Sequence, residues 1–155
     1  MRKFNLRLLL YYTLIPLMLA FTVSMLIPSY SDFYDEIKKP FEISPIVFGV
    51  VWTILYILMG VSAYLIDNSG EDNIKSSLTI YYVQLAINLI WPIMFFWLNK
   101  LLLSFGLIIL LIVLVIIMII KFYQIRKISA YLIVPYLVWL IFAAYLNFSV
   151  YILNK

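Results

Sequence analysis

The chain has 155 residues, of which 66% are apolar and 12% charged, with 11 Lys and Arg against 7 Asp and Glu. Soluble domains carry about 25% charged residues, so too little polar sequence remains here to cover a soluble core. With no Cys and no His, the chain has no disulfide, thiolate nucleophile, imidazole metal ligand, Ser-His-Asp triad or proximal histidine for haem.

Five charge-free stretches, 8–31, 43–66, 76–99, 101–120 and 128–154, take up 119 of the 155 residues. Each is long enough for a membrane-spanning helix, which needs roughly 20 apolar residues. The expectation is an all-α membrane protein, a single five-transmembrane-helix bundle over 1–155, with spans near 6–27, 45–66, 77–98, 101–120 and 129–152. No soluble domain fits into the connections. The net charge of +4 sits at span ends, where anionic lipid head groups are a simpler partner than nucleic acid.

Arg2, Lys3 and Arg7 precede the first apolar run. That run exceeds the 7–15 residues of a cleaved signal and lacks a small-x-small site, so it reads as a retained span. Arg2, Lys3, Arg7, Lys75, Lys121, Arg126 and Lys127 fall on one side of the bundle and Lys38, Lys39, Lys100 and Lys155 on the other. The positive-inside rule then places the N-terminus inside and the C-terminus outside, in a multi-pass protein of what reads as a bacterial cell membrane.

The connection 28–44 is the longest. Asp32, Asp35 and Glu36 followed by Lys38 and Lys39 suit a short interfacial helix. Pro40 ends it, and Ser44-Pro45 reads as cap and first turn of the second span. Because it leads into the second span, the segment from Tyr30 to Ser44 is expected to act as a lid, with Tyr34, Phe41 and Glu42 at its working edge. The connection at 67–75 is a polar turn around Asn68-Ser69-Gly70. The turn at Asn99-Lys100 is so short that spans three and four must be antiparallel neighbours. An amphipathic linker is expected at 121–127. Span four is almost purely aliphatic and should face lipid or another protomer.

No Asp, Glu, Lys, Arg or His lies inside the five stretches, which disfavours a proton relay, a voltage sensor or a buried general base. The polar content is neutral and in register. Span three carries Gln84, Asn88, Trp91 and Phe95 on one helical face; span two carries Gly49, Trp52, Tyr56, Gly60 and Ala63; span five carries Tyr136, Trp139, Ala143 and Asn147. Span one shows no comparable stripe. Amides in spans either bind helices together or line a pocket. A mid-membrane indole needs a partner or a cavity. Gly49, Gly60, Ala143 and Ala144 allow either close helix packing or room for a ligand. Trp97, at a span end, is an interfacial belt residue. Pro16, Pro92 and Pro135 should kink their helices. Such an interior suits a flat, largely apolar ligand with a few hydrogen-bonding groups, and no metal.

These residues resemble the TspO/MBR family, the tryptophan-rich sensory proteins of bacteria related to the mitochondrial translocator protein. The resemblance rests on Phe33-Tyr34, Lys39-Pro40 and Pro45 before span two, then Phe48-Gly49-x-x-Trp52-x-x-x-Tyr56-x-x-x-Gly60. It continues with Gln84-Leu85-x-x-Asn88-x-x-Trp91 and Phe95-Phe96, and with Pro135-Tyr136-Leu137-x-Trp139 through Phe142, Ala143, Leu146 and Asn147. It implies a homodimer of five-helix protomers that binds porphyrins and other tetrapyrroles such as protoporphyrin IX as ligand rather than as required cofactor. Sterol-like and isoquinoline-carboxamide ligands are implied as well. Light-dependent porphyrin breakdown and transport are the alternatives the family leaves open. The matching pocket residues are Trp52, Trp91 and Trp139, with Asn88 and Tyr56 nearby. Where the family has tryptophan this chain has Glu42 in the loop and Phe33 before it, and Ser44 replaces the first proline of a pair. A carboxylate facing inward at 42 would disfavour a ligand's propionates; facing solvent, it would do nothing to binding. The spacing Leu146-x4-Tyr151-x3-Lys155 fits a loose sterol pattern that also arises by chance.

Overall fold

The structure, a computed structural model, describes residues 3–27, 33 and 35–155. Five helices are long and apolar enough to cross a membrane: α1 (Leu6–Leu26), α2 (Pro45–Asp67), α3 (Lys75–Pro92), α4 (Leu101–Ile125) and α5 (Lys127–Leu153). They begin and end where charged or turn residues interrupt the apolar runs. Asn5 caps α1 by accepting from the Leu8 amide at 3.2 Å, and Pro45 opens α2 with Ser44 as cap residue but without a side-chain cap bond. Gly70 (φ 87°) and Asn99 (φ 54°) take the left-handed conformation in the two polar turns, where glycine and asparagine carry the least strain.

One expectation needs correction. Residues 121–125 continue α4, and only Arg126, extended at φ −153°, separates it from α5. The apolar residues of that segment keep the helical period, Phe122 being fully buried one turn after Met118, so the helix continues beyond its charge-free stretch. Pro92, the proline expected to kink this span, closes α3 and passes into a π-helical turn, Ile93–Trp97. The Leu98 amide reaches back five residues to Ile93 O (3.0 Å). The wider turn, a device common at functional sites, buries two successive rings, Phe95 and Phe96.

In space the helices form a circuit: α1 packs on α2, α2 on α5, α5 on α4, α4 on α3, and α3 returns to α1. Each inward face repeats every three to four residues. In α4 it is Ser104, Ile108, Leu111, Val115, Met118 and Phe122; in α5 it runs from Ser129 through Ile133, Tyr136, Leu140, Ala143 and Asn147 to Val150. The opposite face of α4, including Leu102, Leu103, Leu110, Val113 and Ile120, is exposed, as a lipid-facing helix requires. The α1 helix is the least embedded, burying only Tyr12, Thr13 and Pro16.

The helices are pinned together by side-chain hydrogen bonds, neutral ones within the spans, since no water is available in the hydrocarbon to satisfy such groups. Ser62 Oγ donates to Ser129 O (2.7 Å), joining α2 to α5. Asn147 Nδ2 donates to Ser104 Oγ (3.0 Å), joining α5 to α4. At the other end of the bundle from residues 35–44, Tyr12 donates to Asp67 (3.1 Å) and the Asn5 amide to Tyr64 Oη (3.2 Å), joining α1 to α2.

The glycines of α2 divide by role. A Cβ on Gly60 would lie 2.3 Å from Tyr12 O and 2.8 Å from Thr13 Cα, so Gly60 is the crossing point of α1 and α2. A Cβ on Gly49 meets nothing within 4 Å. Backbone cannot yield to the first clash, so Gly60→Ala should destabilise by about 2 kcal/mol or more. Gly49→Ala should stabilise by up to about 1 kcal/mol through helix propensity. Thermal unfolding in detergent followed by circular dichroism separates the two; equal shifts would refute this division.

Candidate ligand-binding site

The interior is organised by one chain of side-chain hydrogen bonds. The Tyr56 hydroxyl of α2 donates to Asn88 Oδ1 of α3. Asn88 Nδ2 donates to Tyr136 Oη of α5 (2.7 Å), and the Tyr136 hydroxyl donates to Gln84 Oε1 of α3 (3.0 Å). Gln84 Nε2 ends the chain at Met59 Sδ of α2 (2.9 Å). All four polar residues are buried. Tyr136 Oη both accepts from Asn88 and donates to Gln84, so the bonds run in one direction from Tyr56 to Met59. The stripe on span three and the stripes on spans two and five thus meet as the sequence register suggests.

Aromatic rings stack in front of this chain. The Trp52 ring lies 5.7 Å from Tyr56, 6.2 Å from Tyr136 and 6.5 Å from Trp139. Trp139 in turn contacts Phe48 at 5.5 Å and Phe142 at 5.3 Å. Trp91 stacks on Phe95 at 5.4 Å with an interplanar angle of 26°. The edge-to-face and offset geometries are those that ring quadrupoles favour. Among the described residues, the indole N–H groups of Trp91 and Trp139 are buried without a hydrogen-bond partner.

Two cavities flank these rings. The larger, about 680 Å³, lies between α1, α2 and α3 and is walled by Phe48, Trp52, Tyr56, Asn88, Trp91 and Phe96, with Leu17, Ala20, Phe21 and Ser24 of α1 opposite. This is within the size range of small-molecule sites. The smaller, about 40 Å³, lies under residues 39–43 and is lined by Trp91, Phe95, Ala143, Leu146, Asn147 and Val150. It holds no more than a few water molecules. Phe48, Trp91 and Phe96 line both and form the partition between them.

The expected site residues therefore separate into groups. Trp52, Tyr56, Asn88 and Trp91 line the large chamber. Trp91 also joins Phe95, Ala143, Asn147 and the roof residue Phe41 around the small one. Gln84, Tyr136 and Trp139 line neither of these cavities; the first two brace Asn88, and Trp139 backs Trp52 and Phe48. Glu42 is exposed and lines neither cavity. Tyr34 lies outside the described residues, as do the loop positions 28–32. Around them, Phe33, Asp35 and Glu36 fall in a helical turn, and the Phe33 ring rests edge-on against Phe95 (5.9 Å). Phe41 rests on Phe142 at 6.1 Å. The loop is also clasped at Lys38, whose amide donates to Asn154 Oδ1 (3.0 Å) while Asn154 Nδ2 donates back to Lys38 O (2.9 Å).

Sequence reasoning missed the contribution of α1. Leu17, Ala20, Phe21 and Ser24 repeat at helical spacing, a signal that was present but too weakly polar to stand out. It also missed Asn154, whose role depends on a loop 116 residues away.

The TspO/MBR family profile matches residues 12–153. The chain is 36% identical over 127 residues to the tryptophan-rich protein TspO of Archaeoglobus fulgidus, covering 81% of this chain and 82% of that protein. It is 35% identical over 124 residues to protein CrtK of Rhodobacter capsulatus, covering 78% of each. To the human translocator protein it is 33% identical over 122 residues, covering 76% of this chain and 72% of that one.

The hydrogen-bond chain sets an order of stabilities. Tyr136→Phe leaves Asn88 Nδ2 and Gln84 Oε1 both without their phenol, and should cost about 1–3 kcal/mol. Ser62→Ala removes a single interhelical bond of the kind worth about 0.6 kcal/mol in membranes. Denaturation of the two variants in mixed micelles tests this; an equal or reversed order would show that the chain does not act as a unit.

Proposed function

The chain belongs to the TspO/MBR family of integral, multi-pass membrane proteins, and from that premise we propose that it binds tetrapyrroles such as protoporphyrin IX, and similar flat amphipathic molecules. The observation that carries this reading is the chamber of about 680 Å³ with Trp52, Trp91 and Phe48 on its wall and the Tyr56–Asn88 pair at its back. Flat rings gain most from faces they can stack on, and two indoles and a phenyl supply such faces. The Trp91 N–H, buried and without a partner among the described residues, is a donor left over for a ligand. Neutral walls suit a macrocycle that carries its own charge only at its rim. The residues concerned match the positions that the family resemblance assigns to its pocket.

Titrating the purified protein with protoporphyrin IX should quench tryptophan fluorescence to a saturable end point. Trp52→Leu should weaken binding about tenfold, the loss of roughly one good aromatic contact. Quenching that rises linearly without saturation, or is unchanged in Trp52→Leu, would overturn the proposal for this ligand class.

The assembly proposed is a homodimer, with the exposed aliphatic face of α4 as a surface able to meet lipid or a second protomer. Gly106 on that helix has open space around its Cα, which admits close approach of a neighbour. Cross-linking in native membranes should trap dimers across expression levels; monomer alone at every level would argue against it.

A further inference from the structure

We infer that the large chamber is entered sideways from the bilayer, through a slot between α1 and α2 that Gly49 keeps open. The inference rests on the binding reading above and adds the route, which that reading leaves unstated.

The mouth of the chamber is located by which lining residues are exposed. On α3 the lining residues Asn88, Trp91 and Phe96 are buried and Pro92 is half-buried, so α3 is the back wall. The exposed members are Phe21 and Ser24 on α1 and Pro45, Gly49 and Thr53 on α2. They face each other across the two helices in the half of the bundle next to residues 35–44. Phe21, at 65% exposure, stands at the rim.

The packing of α1 explains why a slot exists there. The hydrogen bonds that join α1 to α2, at Asn5–Tyr64 and Tyr12–Asp67, lie in the opposite half of the bundle, as does the crossing at Gly60. The ring contacts of Tyr12 with Tyr81 (5.7 Å) and Tyr82 (6.4 Å) hold α1 to α3 in that same half. From this pinned end α1 runs on to Leu17, Ala20 and Ser24, which line the chamber, Leu17 and Ala20 also packing against the core.

Gly49 is the second, independent observation. A glycine within a helix is destabilising relative to alanine and is usually explained by a close backbone approach. Among the described residues none exists here, because a Cβ at Gly49 meets nothing within 4 Å of them. Its position one turn before Trp52, beside Thr53, places it on the slot's edge, where any larger side chain would narrow the opening. By contrast, the described part of the loop is packed down over the smaller cavity. Lys39, Pro40, Phe41 and Ile43 roof the small cavity, and Asn154 holds Lys38 by both backbone groups. Flat amphipathic molecules partition into bilayers, so a side opening meets them where they are concentrated.

The test is stopped-flow tryptophan quenching in nanodiscs, with protoporphyrin IX loaded into the bilayer. Gly49→Phe should slow association and dissociation together by about fivefold or more, since a narrowed passage acts on both directions, while thermal stability stays at or above wild type. Thr53→Phe, on the same rim, should act alike and covers the case in which the first variant fails to fold. Asn154→Ala, which frees the loop, should leave both rates within about twofold. If the two rim variants bind at wild-type rates while Asn154→Ala accelerates exchange, entry is over the loop and the slot is overturned. Absence of saturable quenching in the unaltered protein would instead sink the binding reading and the route with it.

Discussion

The bundle depends on the uncharged chain Tyr56–Asn88–Tyr136–Gln84–Met59. In hydrocarbon a polar side chain without a partner is costly, and an ionised one more so. The chain answers this with phenols and amides alone, each donor matched to an acceptor on a different helix. Because its members come from α2, α3 and α5, they can be satisfied together only if the last helix in sequence stands next to the second. That requirement accounts for the circuit α1, α2, α5, α4, α3, which sequence order would not suggest.

The same chain divides the molecule into a rigid part and a looser one. Behind it, α5 and α4 pack along their whole length, and Ser104–Asn147 and Ser62–Ser129 fasten the two flanks. In front of it stands α1, with three buried residues and its polar ties gathered at one end. Few buried contacts mean a low free energy of local opening. The large cavity lies on the boundary between these parts, so one wall is held in place and the other has room to adjust.

Much of this was legible in the sequence, and the physical reason is the membrane. A solvent that forbids charge leaves charge-free stretches as a direct record of the spans, and five were read correctly in number and nearly in extent. The amide and aromatic stripes of spans two, three and five were likewise legible because polar residues are rare there and their spacing stands out. What was illegible depends on context. Gly49 and Gly60 look alike in sequence and differ only in what lies opposite. The π turn after Pro92 follows from how the freed backbone is re-paired, not from the residues Ile93–Trp97 themselves. The extension of α4 to Ile125 was hidden by Lys121, because a charge near an interface does not end a helix when its long stem can reach water. Whether Glu42 faces the pocket or solvent stayed open in the sequence because the loop's path could not be derived from its proline spacing; the path sets Phe41 and Ile43 along the small cavity and leaves residue 42 exposed.

The partition between the two cavities carries the argument one step further. Phe48, Trp91 and Phe96 belong to both linings, and all three are held by ring packing rather than by the central hydrogen bonds. Phe96 rides on the π turn, Trp91 stacks on Phe95 with its N–H unpaired among the described residues, and Phe48 leans on Trp139. No hydrogen bond of the central chain includes them. A ligand larger than the chamber could therefore displace these rings toward the space under the loop without breaking a buried polar pair, the event that membrane proteins tolerate least. Under the proposed binding reading, the uncharged chain behind Trp52 would be the back stop for a ligand and the aromatic partition would set its size.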